Sequence, residues 1–209
     1  QGLAVFAGQA RPSELIQPPE SLNIAQLAMS HNIHLFQGRF YVCLQPGLLK
    51  WLSEWNPDVL IMEANPRYLS SSSAIHWMHK RNRPVIGWGL GAPPIPGGLL
   101  ARIRQQRRKH FLHQFDSMIT YSQTGAAEYA QMGFPEDRIF VAANAVTPRP
   151  EHPIPVRRDV QSDEKVSVLF VGRLQERKNI NNLIHACADL PDALQPELVI
   201  VGDGPARDS

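Results

Sequence analysis

The sequence is poor in several features that would assign a protein class at once. It has only two cysteines, Cys43 and Cys187, which lie far apart and in no metal-ligand pattern, so they indicate reduced core thiols rather than a disulfide scaffold. No apolar run approaches the roughly 18 residues of a membrane-spanning helix. The formal net charge is only +2, which gives no argument for nucleic acid as a partner. Together these features predict a cytoplasmic globular protein.

The two ends of the sequence are unusual for a natural domain. The chain starts at Gln1 with an apolar segment almost at once, and it stops after a strand-and-glycine-loop pattern with no helix behind it. We therefore expect the chain to be cut at both ends.

Short runs rich in Val, Ile and Leu predict strands that are buried on both faces of a parallel sheet. They cover residues 3–8, 58–63, 84–89, 117–122, 138–143, 166–172 and 197–202, with a weaker candidate at 33–36. Helical patterns fall between them, at 47–55, 126–133 and 180–190. Strands that alternate with helices predict an α/β fold.

The composition predicts two domains and a linker. Residues 147–165 contain four prolines and many charges but few large apolar residues, which is typical of an extended connection. We predict an N-terminal domain over 1–146, a proline-rich linker over 147–165 and the start of a second domain over 166–209.

A basic loop follows the strand at 166–172. Arg173 and Lys178 stand between that strand, which ends at Gly172, and a helix that begins near residue 179 or 180. Ligands of open parallel sheets bind at the carboxyl ends of strands, where helix N-termini favour anions. A guanidinium beside an ammonium suits a diphosphate. On spacing alone, a solvated basic loop partly neutralised by Glu176 remains the alternative.

A second glycine loop follows the strand at 197–202. Gly202 and Gly204 permit a close backbone approach or a positive φ, and Pro205 can open a helix. Alone this loop is a common tight turn, and it is not the GxGxxG fingerprint of dinucleotide binding.

Together these two loops carry a family resemblance. VLFVGRLQERKNINNLIHACADL (168–190) and PELVIVGDGPARDS (196–209) resemble the start of the C-terminal domain of retaining glycosyltransferases with the GT-B fold, of the large group 1 family (family four). Residues 115–146 resemble the last segment of that family's N-terminal domain, and PDVLIMEANPRYLS (57–70) resembles one of its strands. The likeness covers nearly the whole chain and is strongest over 168–205.

The resemblance implies a fold and a chemistry. The fold would be a Rossmann-like N-terminal domain without its first strand, plus the first β-α-β of a second Rossmann-like domain. Gly172, Arg173, Lys178, Gly202 and Gly204 would bind the nucleotide-sugar donor in the cleft between the domains, and Arg173 and Lys178 would hold its diphosphate. Arg173 and Lys178 would also be catalytic, because they stabilise charge on the leaving phosphate. Neither a metal nor another cofactor is implied.

Several departures from the family pattern bear on activity. The family's first strand with its glycine-rich loop, and its paired glutamates beyond the second glycine loop, do not occur in these 209 residues. The family's Asn-Gly-Val-Asp segment is Asn144-Ala145-Val146-Thr147 here. We therefore expect the 209 residues alone not to catalyse transfer, although the intact protein would.

The N-terminal domain offers acceptor-side candidates at the predicted carboxyl edge of its sheet. Trp88 could stack on a sugar or be half-buried in the core. Arg67 and Gln123 lie at the same predicted edge, and a capped turn is the alternative for residues 63–67. The predicted acceptor or cleft residues are Glu63, Asn65, Trp88, Gly89, Ser122 and Asn144.

Residues 99–115 predict a basic helix. Leu100, Ile103, Phe111 and Phe115 form an apolar side, and residues 102–109 carry five cations without an acid. A solvated basic face is favoured over contact with anionic headgroups at the inner face of a membrane. Three His-x-x-His pairs, at residues 31/34, 76/79 and 110/113, lack accompanying ligands, so no metal site is expected.

The sequence therefore favours a glycosyltransferase that moves a sugar from a nucleotide-sugar to a sugar, lipid-linked or small-molecule acceptor. A nucleotide-sugar epimerase of similar architecture is one alternative, although its acid and base residues cannot be assigned. A non-catalytic module that binds a nucleotide or phosphate is the other. The donor sugar, the base and the acceptor stay open.

Overall fold

A computed structural model describes residues 2–9, 11, 19–36, 38–95, 97–143, 151–153 and 166–207. They form two compact units: a larger one within 2–9 and 19–143, and a smaller one that contains 166–207. Apart from residues 151–153, the predicted linker lies outside the described residues.

The larger unit begins with two small sheets. Their strands are β1 (Ala4–Gly8), β2 (Gln26–Ser30), β3 (Ile33–Leu35) and β4 (Val42–Leu44). β1 pairs with β2 in parallel, whereas β3 pairs with β4 antiparallel. β2 and β4 were not predicted, because QLAMS mixes polar with apolar residues and VCL is too short to give a pattern.

The rest of the larger unit alternates helices with the strands of a parallel sheet. In chain order the elements are α1 (Leu48–Trp55), β5 (Leu60–Glu63), α2 (Ser71–His79), β6 (Val85–Gly89), α3 (Leu99–Leu112), β7 (Ser117–Thr120), α4 (Gln123–Gln131) and β8 (Ile139–Val141). The four strands β5 to β8 are neighbours in that order, and each adjacent pair is parallel. Each of these strands, and each predicted helix of this unit, is confirmed.

The core lies on one face of this sheet. Val85 and Met118 are fully buried there against residues of all four helices, among them Leu52, Met78 and Tyr129. On the opposite face Ile61 is 55% and Phe140 56% exposed. The prediction of burial on both faces is therefore wrong for the described residues, whose core clusters on one side.

A carboxylate fastens the start of β6 to its surroundings. Asp116 Oδ2 accepts hydrogen bonds from the backbone N–H of Val85 at 2.7 Å and from His79 Nε2 at 3.0 Å. The backbone N–H of Asp116 donates in return to the Val85 carbonyl oxygen at 2.9 Å. Asp116 thus joins α2, β6 and β7 at the amino edge of the sheet.

Helix α4 shows how local sequence sets its limits. It begins at Gln123 rather than near 126, because the Ser122 Oγ accepts a hydrogen bond from the Gly125 N–H at 3.1 Å and caps the first turn. It ends at Gln131, and Gly133, whose φ is 83°, forms part of the C-terminal cap as predicted. The N–H groups of Gly133 and Phe134 donate to the carbonyls of Ala130 and Tyr129, as in a Schellman motif.

The smaller unit is a β-α-β unit, as predicted. It comprises β9 (Ser167–Val171), a 3-10 helix (Glu176–Lys178), α5 (Ile180–Ala188), a 3-10 helix (Asp192–Leu194) and β10 (Glu197–Val201). β9 and β10 pair in parallel. Leu169 and Val171 are 64% and 69% exposed, so burial on both faces is wrong here as well. The predicted fold class, α/β with Rossmann-like parallel sheets, is confirmed.

Candidate functional site

A cavity of about 560 Å³ opens at the carboxyl ends of β5, β6 and β7. Its volume lies within the range of about 300–1,000 Å³ that is typical of small-molecule sites. Its position agrees with the rule that ligands of open α/β sheets bind at this edge. Its lining comprises Glu63, Ala64, Asn65, Pro66, Arg67, Trp88, Gly89, Leu90, Gly91, Ala92, Arg108, Leu112, Tyr121 and Tyr129.

The structure brings together Glu63 and Asn65, two of the predicted acceptor residues. Asn65 Nδ2 donates to Glu63 Oε1 at 3.0 Å, and Asn65 Oδ1 accepts from the Arg67 backbone N–H at 3.1 Å. The Asn65 side chain therefore spans the turn after β5 and orients the exposed carboxylate. Residues 63–67 therefore form the capped turn and also line the cavity.

Two groups that interact with the Glu63 carboxylate, Tyr68 and Cys43, have pKa values above their ordinary ones. Burial, followed by the negative charge of Glu63, to which Tyr68 also hydrogen-bonds, raises the pKa of Tyr68 well above its ordinary value. Burial also raises the pKa of the fully buried Cys43 thiol. β4 is fastened here, since Cys43 N–H donates to the Arg67 carbonyl at 2.8 Å and Leu69 N–H donates to the Cys43 carbonyl at 2.9 Å.

Trp88 forms the aromatic wall of the cavity. Its side chain is 43% exposed, and its ring centroid lies 5.5 Å from that of Tyr121, with an angle of 59° between the rings. A partly exposed indole beside hydrogen-bonding groups suits a ligand with an apolar face and a polar edge. Tyr121 was not predicted, although it directly precedes the predicted Ser122.

Gly89 lines the cavity for a steric reason. A Cβ at Gly89 would lie 2.5 Å from the hydroxyl oxygen of Tyr129, so the missing side chain makes room for that phenol. Tyr129 is 1% exposed, and its hydroxyl accepts a hydrogen bond from the Gly91 N–H at 3.2 Å. Burial raises the pKa of Tyr129. Its phenol thus holds the loop that follows β6.

One residue of the basic helix points toward the cavity. Arg108 is half-buried in the cavity lining, and its Nη1 donates to the Pro93 carbonyl at 2.7 Å. The prediction of a solvated basic face is therefore wrong for Arg108. Ile103, placed on the apolar side, is 50% exposed instead, because the buried stripe of α3 runs through Ala101 and Leu112.

Two predicted acceptor residues do not join this group. Ser122 is exposed, caps α4 and is not part of the lining. Asn144 lies outside the described residues.

A second cavity, of about 400 Å³, lies in the smaller unit at the carboxyl ends of β9 and β10. It brings together four of the five predicted donor-binding residues, all except Lys178. The lining comprises Val171, Gly172, Arg173, Val201, Gly202, Asp203 and Gly204. Both a basic and an acidic residue are present, since Arg173 and Asp203 each line the cavity.

The two glycine loops are joined along their backbones. The N–H of Leu174 donates to the Asp203 carbonyl at 2.9 Å, and the N–H of Gly172 donates to the Val201 carbonyl at 3.0 Å. Gly202 and Gly204 have φ values of 156° and 155°. A Cβ on Gly202 would overlap the Gly172 carbonyl oxygen, and one on Gly204 would overlap that of Leu174. Glycine is therefore required by the contact between the loops.

Arg173 and Lys178 differ in their surroundings. Nη2 of Arg173 is buried and has no hydrogen-bond partner within the described residues. Such a group normally acquires a partner, because an unpaired buried donor costs about 1–3 kcal/mol. Lys178 is exposed on the 3-10 helix and is not part of the cavity lining. No described carboxylate lies within 4.0 Å of either cation, so the neutralising role considered for Glu176 is not observed.

Two of the described histidines, His34 and His79, hydrogen-bond to other protein groups. His34 Nδ1 lies 2.8 Å from the Tyr41 hydroxyl, and His79 bonds to Asp116. Within the residues that the structure describes, no group of three or more His, Cys, Asp or Glu side chains converges as metal ligands would. In the same part of the chain, no helix is both long and apolar enough to span a bilayer.

Two protein-family models match the chain. The model described as Glycosyltransferase Family 4 matches residues 5–149. The model described as Glycosyl transferases group 1 matches residues 156–209.

Individual proteins are also similar to the chain. An uncharacterized glycosyltransferase of Methanocaldococcus jannaschii is 36% identical over 110 residues, which cover 47% of this chain and 28% of that protein. A solved structure, the apo form of the lipopolysaccharide outer core galactosyltransferase WaaB, is similar at a TM-score of 0.49 and 18% identity, over 87% of this chain and 46% of that one. The chain thus spans less than half the length of either relative.

Proposed function

Because the chain belongs to Glycosyltransferase Family 4, we propose that the protein transfers a sugar from a nucleotide-sugar donor to an acceptor with retention of anomeric configuration. The bond between the anomeric carbon and the diphosphate breaks. A bond from that carbon to an acceptor hydroxyl oxygen forms, and the hydroxyl proton passes to the leaving diphosphate. The proposed reaction uses no metal or other cofactor.

One observation carries the donor side of the proposal. The buried Arg173 Nη2 has no partner among the described residues and lines the cavity between two glycine loops. A diphosphate oxygen would satisfy it, and charge-assisted hydrogen bonds of this kind are about twice as strong as neutral ones. Lys178 supplies the second positive charge from its exposed position. Gly172, Gly202 and Gly204 keep the loop backbones close enough to shape the site.

Charge development on the leaving group explains why Arg173 and Lys178 are assigned catalytic roles. A fixed cation that binds the diphosphate more strongly as its charge grows lowers the barrier and not only the KM. The acceptor side is assigned to Glu63, Asn65, Trp88 and Gly89 in the cavity of the larger unit, with Ser122 and Asn144 as further candidates.

The proposed location is the cytoplasm, with peripheral contact at the inner face of a membrane through residues 102–109. Arg102, Arg104, Arg107 and Lys109 are exposed on a helix that has no acid, and such a surface attracts anionic headgroups. No nucleic acid is expected as a partner. Equal co-sedimentation with neutral and anionic vesicles would contradict the membrane contact.

The experiment is product analysis of the full-length protein with a panel of nucleotide-sugars and sugar acceptors. We expect release of a nucleoside diphosphate together with a glycosylated acceptor, and NMR coupling constants should show the same anomeric configuration in donor and product. An interconverted nucleotide-sugar without any transfer would indicate an epimerase. Binding without any product would indicate a passive nucleotide-binding module.

A further inference from the structure

The direction of Arg108 follows from the spacing of α3. Ala101, Gln105, Arg108 and Leu112 recur at intervals of four, three and four residues, which keeps them on one side of a helix. Ala101 and Leu112 are buried, at 8% and 2% exposure, and Gln105 Nε2 lies 3.7 Å from the Met132 sulfur. Arg108 therefore lies on the inward side of the helix, whereas Arg104 and Arg107 are exposed.

One hydrogen bond fixes the guanidinium of Arg108, and its other N–H donors have no hydrogen-bond partner among the described residues. One of its five N–H donors is engaged by the Pro93 carbonyl. No described carboxylate lies within 4.0 Å of it. The remaining donors are therefore available at the cavity, and the fork that presents them suits the oxygens of a phosphate or carboxylate.

A second guanidinium reaches the same cavity from another element. Arg67 follows β5, lines the cavity and is exposed. Among the described lining residues, Glu63 carries the only carboxylate, and Asn65 already donates to it. These described residues thus supply two positive groups against one negative group, and partly apolar walls strengthen the field of such groups.

We propose that the cavity of the larger unit binds an acceptor that carries an anionic group, a phosphate or a carboxylate, held by Arg108 and Arg67 beside a ring that packs on Trp88. That this ligand is an acceptor rests on the proposed transferase function. The anion binding itself does not depend on transfer and is measured without a donor.

The competing explanation is structural. In that case Arg108 braces the loop after β6 through Pro93 and touches no ligand. Loss of the brace would change stability and would affect neutral and anionic ligands equally, whereas an anion site discriminates between them.

The test is isothermal titration calorimetry of the full-length protein, without a nucleotide-sugar. The probes are glucose, glucose 1-phosphate, glucose 6-phosphate, glucuronate and inorganic phosphate. The variants are Arg108→Gln, Arg108→Lys and Arg67→Gln. Arg104→Gln is the matched control, since it removes the same charge from the exposed side of the same helix. Arg173→Gln identifies any phosphate that binds in the smaller unit.

We expect at least one anionic sugar to bind about tenfold or more tightly than glucose, as a charge-assisted hydrogen bond would give. Arg108→Gln should remove most of that preference, Arg67→Gln should reduce it about three- to tenfold, and Arg108→Lys should keep part of it. Arg104→Gln should leave it unchanged, and Arg173→Gln should remove only the phosphate binding that belongs to the smaller unit. A preference for the phosphates alone or for glucuronate alone identifies the source of the anion.

Several results would overturn the inference. One is equal binding of glucose and all anionic sugars. Another is a preference that Arg173→Gln abolishes while Arg108→Gln and Arg67→Gln do not. Arg67 is exposed, so its variant keeps the test valid even if Arg108→Gln fails to fold.

The anion site and the proposed function can fail separately. Arg108-dependent binding in a protein without transferase activity would support the anion site and contradict the proposed function. Transfer to neutral acceptors that neither Arg108→Gln nor Arg67→Gln reduces would support the proposed function and contradict the anion site.

Discussion

Glu63 and Trp88 are register partners on the neighbouring strands β5 and β6, so both side chains leave the sheet on the same face. A carboxylate that accepts hydroxyl hydrogen bonds therefore stands beside an indole that can cover an apolar ring face. This pairing is the local feature on which the proposed binding of a sugar in the cavity rests.

Replacing Trp88 by Ala should raise the KM for the acceptor about tenfold in the intact enzyme, because a buried aromatic contact is worth roughly 0.5–1.5 kcal/mol beyond its area burial. Trp88→Phe should have a smaller effect. Initial-rate kinetics at saturating donor measure both. Ile61→Ala, on the same sheet face but outside the cavity, is the control, and a Trp88→Ala enzyme with an unchanged acceptor KM would argue against the assignment.

Replacing Gly202 by Ala should weaken nucleoside diphosphate binding at least tenfold. The added Cβ would overlap the Gly172 carbonyl oxygen, and the positive φ would add backbone strain of about 1–3 kcal/mol, so the two loops must separate. Calorimetric titration measures the loss. Gly97→Ala is the matched control because its Cβ would meet nothing within 4 Å. Equal affinities for the two variants would show that the contact between the loops does not shape the site.

Replacing Asp116 by Ala should lower the free energy of unfolding by about 1–3 kcal/mol, since the Val85 N–H and the His79 ring lose their acceptor. Urea denaturation measures the change. Asp58→Ala removes an exposed carboxylate of the same unit and should stay within about 0.5 kcal/mol of the parent. If the two variants lose equal stability, the interaction of Asp116 with Val85 and His79 contributes nothing.

The two cysteines should differ in reactivity. Cys43 is fully buried and its pKa is raised by burial, whereas Cys187 is partly exposed, so iodoacetamide should label Cys187 at least about tenfold faster. Mass spectrometry of the labelled peptides measures both labelling rates, and equal labelling in the native protein would contradict the burial of Cys43.

The buried Cys43 thiol also makes the stability of the protein depend on pH. Because the native state keeps the Cys43 proton to higher pH than the unfolded chain, the stabilisation from that thiol is present below pH 9.0 and declines as the pH rises further.

The fold could be predicted largely from sequence because the parallel strands are short apolar runs bounded by glycine, proline or charged residues. The position of α4 depended on Ser122, whose capping role explains its early start. β2 and β4 could not be predicted, since neither has a pattern of its own and each strand exists only by pairing with a neighbour. Burial on both faces was predicted wrongly, because periodicity does not show which packing partners the described residues provide.

The candidate site was predicted in part. Glu63, Asn65, Trp88 and Gly89 do meet in one cavity, because parallel strands bring their carboxyl ends to one edge. Arg108 was predicted to belong to a solvated basic face, although its spacing from Ala101 and Leu112 indicates the inward side of the helix. Tyr129 could not be found from sequence, since its position depends on the space left by Gly89.

Titration of the full-length protein with UDP and GDP, beside its Arg173→Gln and Lys178→Gln variants, tests most directly whether these two cations bind a diphosphate. We expect the preferred nucleotide to bind at least about tenfold more weakly to Arg173→Gln, since hydrogen bonds to charged groups are worth about 1.5–3 kcal/mol, and measurably more weakly to Lys178→Gln. Unchanged affinity in both variants, with the fold intact, would contradict the donor site.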